Sequence, residues 1–267
     1  RKMFQQSIIT FLESKQFVSQ SDVPEYYVHL QSHTEVLILA SDCMQGHTEE
    51  SWETWISKFN SCLQIWEDSY LANPIRLEQL IIARINKSKS VFGRDTRIVS
   101  ISAEAARAFM DANHVLGFSK GQTYLGCIVP PHRLFRGIQS EFEWEGSPLM
   151  AVAIFGKPMV MKELGWEGLL SGELIKLATL PSIRLIGGIT KFLQAYSLIE
   201  PVHHVMTYID LAWNSGKGFL ACGFKIVSKT GLLYFKCTAG KRSFVSEFKE
   251  ADASSPGNLK LRFIYEN

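Results

Sequence analysis

The sequence contains no apolar run near the roughly 20 residues that a membrane-spanning helix needs. Its first residues, RKMFQQSIITFLESKQ, carry charges throughout and lack a small-residue cleavage site, so they are not typical of a signal peptide. Cysteines are few, odd in number and widely spaced, and no Cys/His set has the spacing of zinc ligands. We therefore expect a cytoplasmic protein with no membrane contact, no metal and reduced cysteines at Cys43, Cys62, Cys127, Cys222 and Cys237.

A marked excess of either charge is also missing. With 28 Lys and Arg residues against 26 Asp and Glu residues, the formal net charge is +2. This balance does not by itself indicate nucleic acid, because affinity for phosphate backbones comes from local basic clusters. Such clusters occur between Arg84 and Arg97, in the loop PPHRLFRG, and at Lys241-Arg242. They allow DNA or RNA as a partner, although a solvated linker explains the first cluster equally well.

Length and composition indicate two folded units. At 267 residues the chain exceeds one average domain, and 46% hydrophobic residues are enough to form real cores. We place an N-terminal domain at residues 1–88 and a larger domain at residues 89–267. No internal repeat is present, and the sequence leaves the oligomeric state open.

The segment RLIGGITKFLQAY, Arg184 to Tyr196, carries the strongest functional signal. A Gly pair directly before an apolar helical pattern leaves backbone N–H groups accessible at a helix start, where the peptide dipoles place partial positive charge. Such a start can hold a diphosphate like that of coenzyme A, since glycine has no Cβ to obstruct it. The alternative is a tight strand-to-helix turn with no ligand. The predicted cofactor contacts are Arg184, Ile186, Gly187, Gly188, Thr190 and Lys191, with Asn214 further along the chain.

The flanks of this turn predict a strand on either side. SGELIKLATLPS has the pattern of a strand ended by Pro181, and HHVMTYIDLAW that of a strand which stops at Asp210. A short helix-like GFLACGF and one more strand, KIVSKTGLLYFKC, follow. This order resembles the acyl-CoA-binding half of the GNAT superfamily of N-acyltransferases. The resemblance implies acetyl-CoA or another acyl-CoA as donor, a pyrophosphate on the helix start, and a second helix that ends at Gly223-Phe224.

Several segments taken together resemble a narrower group. They are NHVLGFSKG, AIFGKP, GELIKLA, IGGITKF and TYIDLAWNSGKGFLACGFK. They are similar to the GNAT-like module of phage nucleic-acid modification proteins of the Mom type, and to the same kind of domain in phage homing-endonuclease-like proteins. The resemblance covers residues 94 to 236, and departs from the pattern at Leu116 and at Ile189-Thr190. It implies acyl or aminoacyl transfer to a nucleobase, or to an amine attached to nucleic acid.

The segment LQIWEDSYLANPIRLEQLIIARI, Leu63 to Ile85, predicts a strand followed by one helix. Its apolar residues recur at helical spacing at Leu71, Ile75, Leu77, Leu80 and Ile81. The segment resembles the end of a Vsr-like, restriction-endonuclease-like fold. A nuclease of that class needs clustered carboxylates to hold Mg²⁺, and the candidates Asp42, Glu67 and Asp68 form no convincing set. We therefore interpret the N-terminal domain as a degenerate, structural relative of such nucleases.

Acyl transfer to an amine needs a base, donors for the oxyanion and an acid for the leaving thiolate. Asp210 ends a strand beside the proposed cofactor helix, although an Asp there often caps the following turn. His114 follows the helix-like ISAEAARAFMDAN and suits a base, although a helix C-terminus favours His for structural reasons too. Tyr208 offers a hydroxyl unless strand alternation buries it, and Ser171 begins the strand before the Gly turn.

The candidate substrate contacts have equally plain structural alternatives. Glu173 orients an amine or simply faces solvent, and Lys157, in a Gly-Lys-Pro turn, meets a phosphate or is merely exposed. The full set is Lys157, Glu173, Trp213, Arg133 and Arg136.

The sequence as a whole predicts an α/β protein. A C-terminal GNAT-like mixed sheet flanked by helices follows a smaller N-terminal nuclease-like α/β domain. The expected activity is acyl transfer to a nucleobase or a nucleic-acid-attached amine. Two alternatives stay open: an acetyl-CoA N-acetyltransferase for a small amine or protein, and a non-catalytic nucleic-acid-binding or scaffold protein.

Overall fold

The computed structural model describes the chain apart from short stretches, namely residues 1, 16–18, 24–25, 32–33, 42–48, 59–60, 86–87, 134–139, 239–240 and 266–267. The first elements are α1 (Lys2–Ser14), β1 (Ser19–Val23), β2 (Tyr26–Gln31), β3 (Thr34–Ser41), α2 (Glu49–Lys58), β4 (Ser61–Trp66), α3 (Glu67–Ala72), α4 (Pro74–Ile85), β5 (Lys89–Phe92) and β6 (Arg97–Ser100). Next come α5 (Ala103–Asn113), β7 (Thr123–Ile128), β8 (Glu143–Trp144), β9 (Ser147–Phe155), β10 (Met159–Val160), β11 (Leu170–Thr179), β12 (Ile183–Ile186), α6 (Gly188–Ile199) and β13 (His204–Asp210). The last are α7 (Lys217–Leu220), β14 (Lys225–Lys229), β15 (Leu233–Thr238), β16 (Lys241–Val245), β17 (Ala253–Ser255) and β18 (Asn258–Ile264).

The chain forms two compact units, and neither is one continuous stretch of sequence. The first unit comprises residues 1–81, 209–217 and 228–260, and the second comprises residues 82–208, 218–227 and 261–267. No helix among the described residues is long and apolar enough to cross a membrane.

The first unit is built on a four-stranded sheet in the order β1-β2-β3-β4. β3 and β4 run parallel, and the other neighbours are antiparallel. Helix α1 packs on β1 and β3, because its buried residues recur at helical spacing and form one apolar stripe. The buried core includes Phe4, Ile8, Phe11, Leu12, Ile38, Leu63 and Ile65. A second sheet of this unit has the order β16-β15-β17.

The single helix predicted after Trp66 is wrong, because the structure has two helices separated at Asn73. Pro74 occupies the first position of α4, where its missing N–H costs nothing, and the Asn73 side chain accepts a hydrogen bond from the Arg76 N–H at 3.1 Å. The break leaves Leu71 and Ile75 exposed, whereas Leu77 and Ile81 are buried. Glu67 and Asp68 lie in the first turn of α3, where acidic side chains favour the helix dipole. Asp42 lies outside the described residues.

The second unit contains most of a nine-stranded mixed sheet. Seven strands follow the order β14-β18-β13-β11-β9-β7-β6, with β10 paired to β11 and β8 paired to β9. Ile154 of β9 belongs to the buried cluster under Phe109 and Met110 of α5, and its neighbour Phe155 stacks on Tyr196 of α6. Consecutive strand residues point to opposite faces, so α5 and α6 cover the two faces of the sheet. The predicted class, a mixed sheet flanked by helices, is confirmed.

The predicted order around the glycines is confirmed, with one addition. β11 and β13 are the expected strands, and α6 begins directly after Gly187. An extra strand, β12, precedes the glycines and pairs in parallel with β5, from Ile183 opposite Lys89 to Ile186 opposite Phe92. A solvated linker, the alternative explanation for the basic cluster between Arg84 and Arg97, does not apply to its part from Lys89 onward, which forms β5, a 3₁₀ turn and β6.

The strand predicted over KIVSKTGLLYFKC is in fact two strands. β14 ends at Lys229 and β15 begins at Leu233, and the Thr230 hydroxyl and backbone in between bond to Asn258. The segment EFKEADASSPGNLK, whose polar composition is typical of a surface loop, contains a 3₁₀ turn at Phe248–Glu250 as well as β17.

Candidate functional site

Strands β11 and β13 of the second unit separate part of the way along their length. Their parallel pairing runs from Ser171 opposite His204 to Leu174 opposite Thr207, and among the described residues no further pair joins them. β11 nevertheless continues to Thr179, and on its other edge stays paired with β9. Between Leu174 and Lys176 that second pairing shifts register, so Ile175 is an extra residue in a bulge. The backbone of β11 beyond Leu174 is thus left without a β13 partner.

Thr207 closes the ladder at the point of separation. Its side chain is buried, with 3% exposure, and its hydroxyl donates a hydrogen bond to the Leu174 carbonyl oxygen at 2.9 Å. This bond holds the last paired residue of β11 directly before the bulge.

Replacing Thr207 by Val should destabilise the protein while keeping the shape of the side chain. A buried carbonyl that loses its donor costs about 1–3 kcal/mol. We expect that loss in the free energy of unfolding from urea titration of Thr207→Val, and near-native stability for Thr207→Ser, which keeps the hydroxyl. Equal stability of the Val variant and the wild type would show that the hydroxyl does not secure the ladder end.

Helix α6 begins without a side-chain cap. Gly187, its N-cap residue, has left-handed backbone angles (φ 77°, ψ 8°), and no side chain accepts from the first turn there. The first intrahelical bond runs from the Lys191 N–H to the Gly187 carbonyl, so the N–H groups of the preceding positions have no intrahelical acceptor. A Cβ on Gly187 would meet nothing within 4 Å. The helix start therefore faces open space at Gly187.

Gly188 has a different role from the one predicted. It is buried, and a Cβ there would lie 2.3 Å from Cδ2 and 2.5 Å from Cγ of Leu185. Gly188 is thus required for packing on β12, while only Gly187 offers an unobstructed approach to a ligand.

A cavity of about 390 Å³ opens at this helix start. Arg94 is the charged residue of this cavity that the cofactor prediction missed; its guanidinium carbon lies 4.9 Å from the centre of the Phe92 ring. The pairing of β12 with β5 brings Arg94 here, and its place in a basic cluster was the only sequence signal. The cavity is lined by Phe92, Gly93, Arg94, Ile186, Gly187, Thr190, Lys191 and Gln194.

Lys191 lines the cavity, but its ammonium group is engaged. Nζ donates to the Gly93 carbonyl at 2.8 Å and also to the Thr96 carbonyl. The side chain therefore fastens the 3₁₀ turn after β5 to α6. Arg184, also a predicted cofactor contact, is exposed on β12 and is not among the residues lining the cavity.

His114 ends helix α5 and organises the loop that follows. Its side-chain Nδ1 accepts a hydrogen bond from the Leu116 N–H at 3.1 Å, and its backbone N–H donates to the Met110 carbonyl. The carbonyl of Leu116 is 3.4 Å from Nζ of Lys176, a strand β11 residue with 9% exposure. Lys176 was not predicted as a site residue. The signal was a charged residue inside the apolar run LIKLA.

The remaining β11 and β13 candidates lie at different levels of the sheet. Tyr208 directly follows the last paired residue of β13 and is 49% exposed, so it stands where the strands part. Ser171 lies at the first paired position instead, buried, with its hydroxyl 3.3 Å from the Gly172 carbonyl. Glu173 is exposed on β11.

Asp210 and Asn214 both cap turns of the first unit. An Asp210 carboxylate oxygen accepts from the Ala212 N–H at 2.9 Å, and the Asn214 side chain accepts from the Gly216 N–H at 2.9 Å. Trp213 between them is half-buried. The geometry of Asp210 fits the capping alternative, because a short Asp side chain bonding two residues ahead is an Asx turn.

The predicted substrate contacts outside the sheet are dispersed. Arg133 forms an ion pair with Asp95 at 3.2 Å, and Lys157 is exposed in the turn after β9. Arg136 lies outside the described residues.

Two side chains with nucleophilic or acidic groups, Cys127 and Tyr196, are held neutral. Burial raises the pKa of the Cys127 thiol to about 11, and burial followed by the charge of Glu200 raises the pKa of Tyr196 to about 12. Both stay protonated at neutral pH. Among the described residues no cluster of His, Cys, Asp and Glu could hold a metal ion.

Comparison with known proteins gives a distant likeness. No protein-family model matches the sequence, and no curated protein does. Among solved structures, the chain is similar to the ribosomal-protein-S18-alanine N-acetyltransferase from Escherichia coli, at 14% identity over 63% of this chain and 93% of the other, with a TM-score of 0.33. It is also similar to a nourseothricin acetyltransferase, at 10% identity over 64% of this chain and 98% of the other, with a TM-score of 0.33.

A third similar structure is the NatB acetyltransferase complex bound to a bisubstrate inhibitor. The identity is 12%, the TM-score 0.32, and the match covers 47% of this chain and 66% of that chain. The chain thus spans about two thirds of this relative. At these identities and TM-scores the likeness does not by itself assign a function.

Proposed function

We propose that the protein is an N-acyltransferase that uses an acyl-CoA as donor and an amine of nucleic acid, on a nucleobase or attached to the chain, as acceptor. The single observation that carries the donor half is the uncapped, unobstructed start of α6 at Gly187, which opens into a cavity lined by Arg94. Aligned N–H groups and a guanidinium are donors that a diphosphate accepts from.

The donor fits the residues that are present. A cavity of about 390 Å³ suits one part of such a molecule and not the whole. The N–H groups of the first turn, the Thr190 hydroxyl and Arg94 would hold the diphosphate. The backbone of β11 beyond Leu174 has no β13 partner among the described residues, and we assign the amides of the donor arm to this edge of the strand.

The bound donor supplies a thioester, whose acyl carbon forms a bond to the amine nitrogen while its carbon–sulfur bond breaks. The amine loses a proton, and the departing sulfur gains one. The first proton passes to solvent, because the basic nitrogen of His114, Nδ1, already accepts a hydrogen bond from the Leu116 N–H. We assign the second proton to Tyr208, which is exposed at the point where the strands part. The bulged peptide at Ile175 supplies a backbone donor for the carbonyl oxygen.

The acceptor class follows from the resemblance to nucleic-acid modification proteins and from the basic clusters. One alternative to this proposal has a different acceptor, and the other has no catalytic activity. A small amine or a protein amine would use the same donor site, whereas a scaffold would bind nucleic acid with no donor.

The test is a titration of the purified full chain with CoA and acetyl-CoA by native mass spectrometry, followed by thiol release in the presence of single-stranded DNA, tRNA or polyamine. We expect one bound donor and thiol release that depends on nucleic acid. Thiol release with polyamine but not with nucleic acid would show that the acceptor is a small amine. Absence of donor binding at millimolar concentration would reject the transferase.

A further inference from the structure

The three-stranded sheet of the first unit has one face that is aromatic and basic. Residues directly opposite in the antiparallel pair β15 and β16 share a face, and neighbours along a strand alternate. Tyr234 and Lys236 are therefore on one face, with Ser243 opposite Lys236, while Phe235 and its partner Phe244 are on the other. We call the first of these, together with the adjoining Phe248, the Tyr234 face.

Phe248 is presented to solvent and held in place. Its side chain is 70% exposed, and its ring meets the Tyr234 ring edge to face, with centroids 5.7 Å apart at 70°. Tyr234 is half-buried in the strand and thus provides a fixed support. Phe248 is thus an exposed aromatic ring whose position is fixed by a second ring.

Positive charge lies beside this ring. Lys236 is exposed on the same face, and Lys249 is exposed directly after Phe248. The segment 230–252 contains four basic residues, Lys236, Lys241, Arg242 and Lys249, against three acidic ones, Glu247, Glu250 and Asp252. Glu247 and Glu250 flank Phe248 and Lys249 in the 3₁₀ turn, and Lys229, which precedes the segment, is paired with Glu53 at 3.5 Å. Lys241 and Arg242 begin β16, in register with Thr238 and Cys237.

We propose that the Tyr234 face binds single-stranded polynucleotide, with a base stacked on Phe248 and the backbone phosphates near Lys236 and Lys249. Exposed aromatic rings flanked by basic side chains bind unpaired bases of any sequence, since every base has a π-face. Bases inside a duplex are stacked already and cannot reach a ring on a sheet surface. Stacking and phosphate attraction do not read the sugar, so DNA and RNA are both ligands. This inference rests on the proposed function in one respect only: both take nucleic acid as the ligand.

The test is fluorescence anisotropy with fluorescein-labelled dT15 and U15 and a duplex of the same length, at two salt concentrations. Single strands should bind more tightly than the duplex, and more weakly at high salt. Phe248→Ala should weaken binding roughly 5- to 100-fold, since base–aromatic stacking is worth that much. The matched control is Phe244→Ala, because Phe244 is equally exposed, at 74%, but shares its face with Phe235, which is buried against Trp66.

A variant that changes charge tests the same surface if Phe248→Ala does not fold normally. Lys236→Gln should weaken binding at low salt and flatten its salt dependence, while Lys162→Gln, an exposed lysine of the second unit, should change neither. Equal losses for Phe248→Ala and Phe244→Ala, duplex binding as tight as single-strand binding, or no binding at all would overturn the proposal. Acetyl-CoA binding is measured on the same variants and should be unchanged, so a failure of this surface is distinct from a failure of the donor site.

Discussion

Gly187→Asp should abolish binding of acetyl-CoA while the protein stays folded. The new carboxylate would lie at the start of α6. There it would accept hydrogen bonds from the N–H groups that the diphosphate needs, and it would repel the negative charge of the diphosphate. Loss of two hydrogen bonds to a charged group, at about 1.5–3 kcal/mol each, corresponds to at least about a 100-fold rise in the dissociation constant. Native mass spectrometry and calorimetric titration measure it.

The fold should tolerate this substitution for two local reasons. A Cβ at Gly187 meets nothing within 4 Å, and Asp and Asn adopt the strained left-handed backbone of this position (φ 77°) more readily than other residues with a side chain. Gly187→Asn is the matched control, because it accepts the same left-handed backbone and similar volume without the charge. We expect it to weaken binding far less than Gly187→Asp. Unchanged affinity in the Asp variant would eliminate the helix start as the donor site.

Phe155→Ala should cause the largest loss of stability in the second unit. Phe155 is fully buried and its ring stacks on that of Tyr196 with centroids 4.0 Å apart and planes at 8°. Truncation of a buried Phe costs about 3–5 kcal/mol, from lost transfer free energy and the cavity left behind. Because this ring pair joins β9 to α6, we expect donor binding to weaken together with stability in denaturant titrations.

Tyr196→Phe is the control for that experiment. The Tyr196 hydroxyl lies 3.4 Å from the Gly156 carbonyl, a long and weak hydrogen bond, while the ring remains. We expect a change below about 1 kcal/mol. If Phe155→Ala cost no more than Tyr196→Phe, the ring pair would not be what anchors α6 to the sheet.

Sequence patterns predicted those parts of the fold that depend on local periodicity. The strand before the glycines, α6 and β13 are apolar segments of adequate length with clear end signals, and all of them are present. The single helix predicted over Leu71 and Ile81 is wrong because Asn73-Pro74 ends one helix and begins another. There the spacing of apolar residues masked a local break.

The site was less accessible to prediction because its geometry depends on long-range contacts. The glycines identified the helix start, but the sequence did not show that Gly188 is packed against Leu185 and only Gly187 is open. The ammonium of Lys191 donates hydrogen bonds to the carbonyls of Gly93 and Thr96, residues that are far from Lys191 in the sequence. Arg94 likewise comes to the cavity through pairing of β5 with β12.

That pairing makes the helix start a late product of folding. Lys89 and Ile183 are neighbours in register although more than 90 residues separate them along the chain. Contacts of such high sequence separation close large loops and form only as the domain condenses. A fragment that begins at residue 94, where the motif resemblance starts, would lack β5 and the wall that Phe92 provides. Occupancy of this cavity therefore reports on cooperative folding of the second unit, and a donor bound there would raise the free energy of unfolding of the unit as a whole.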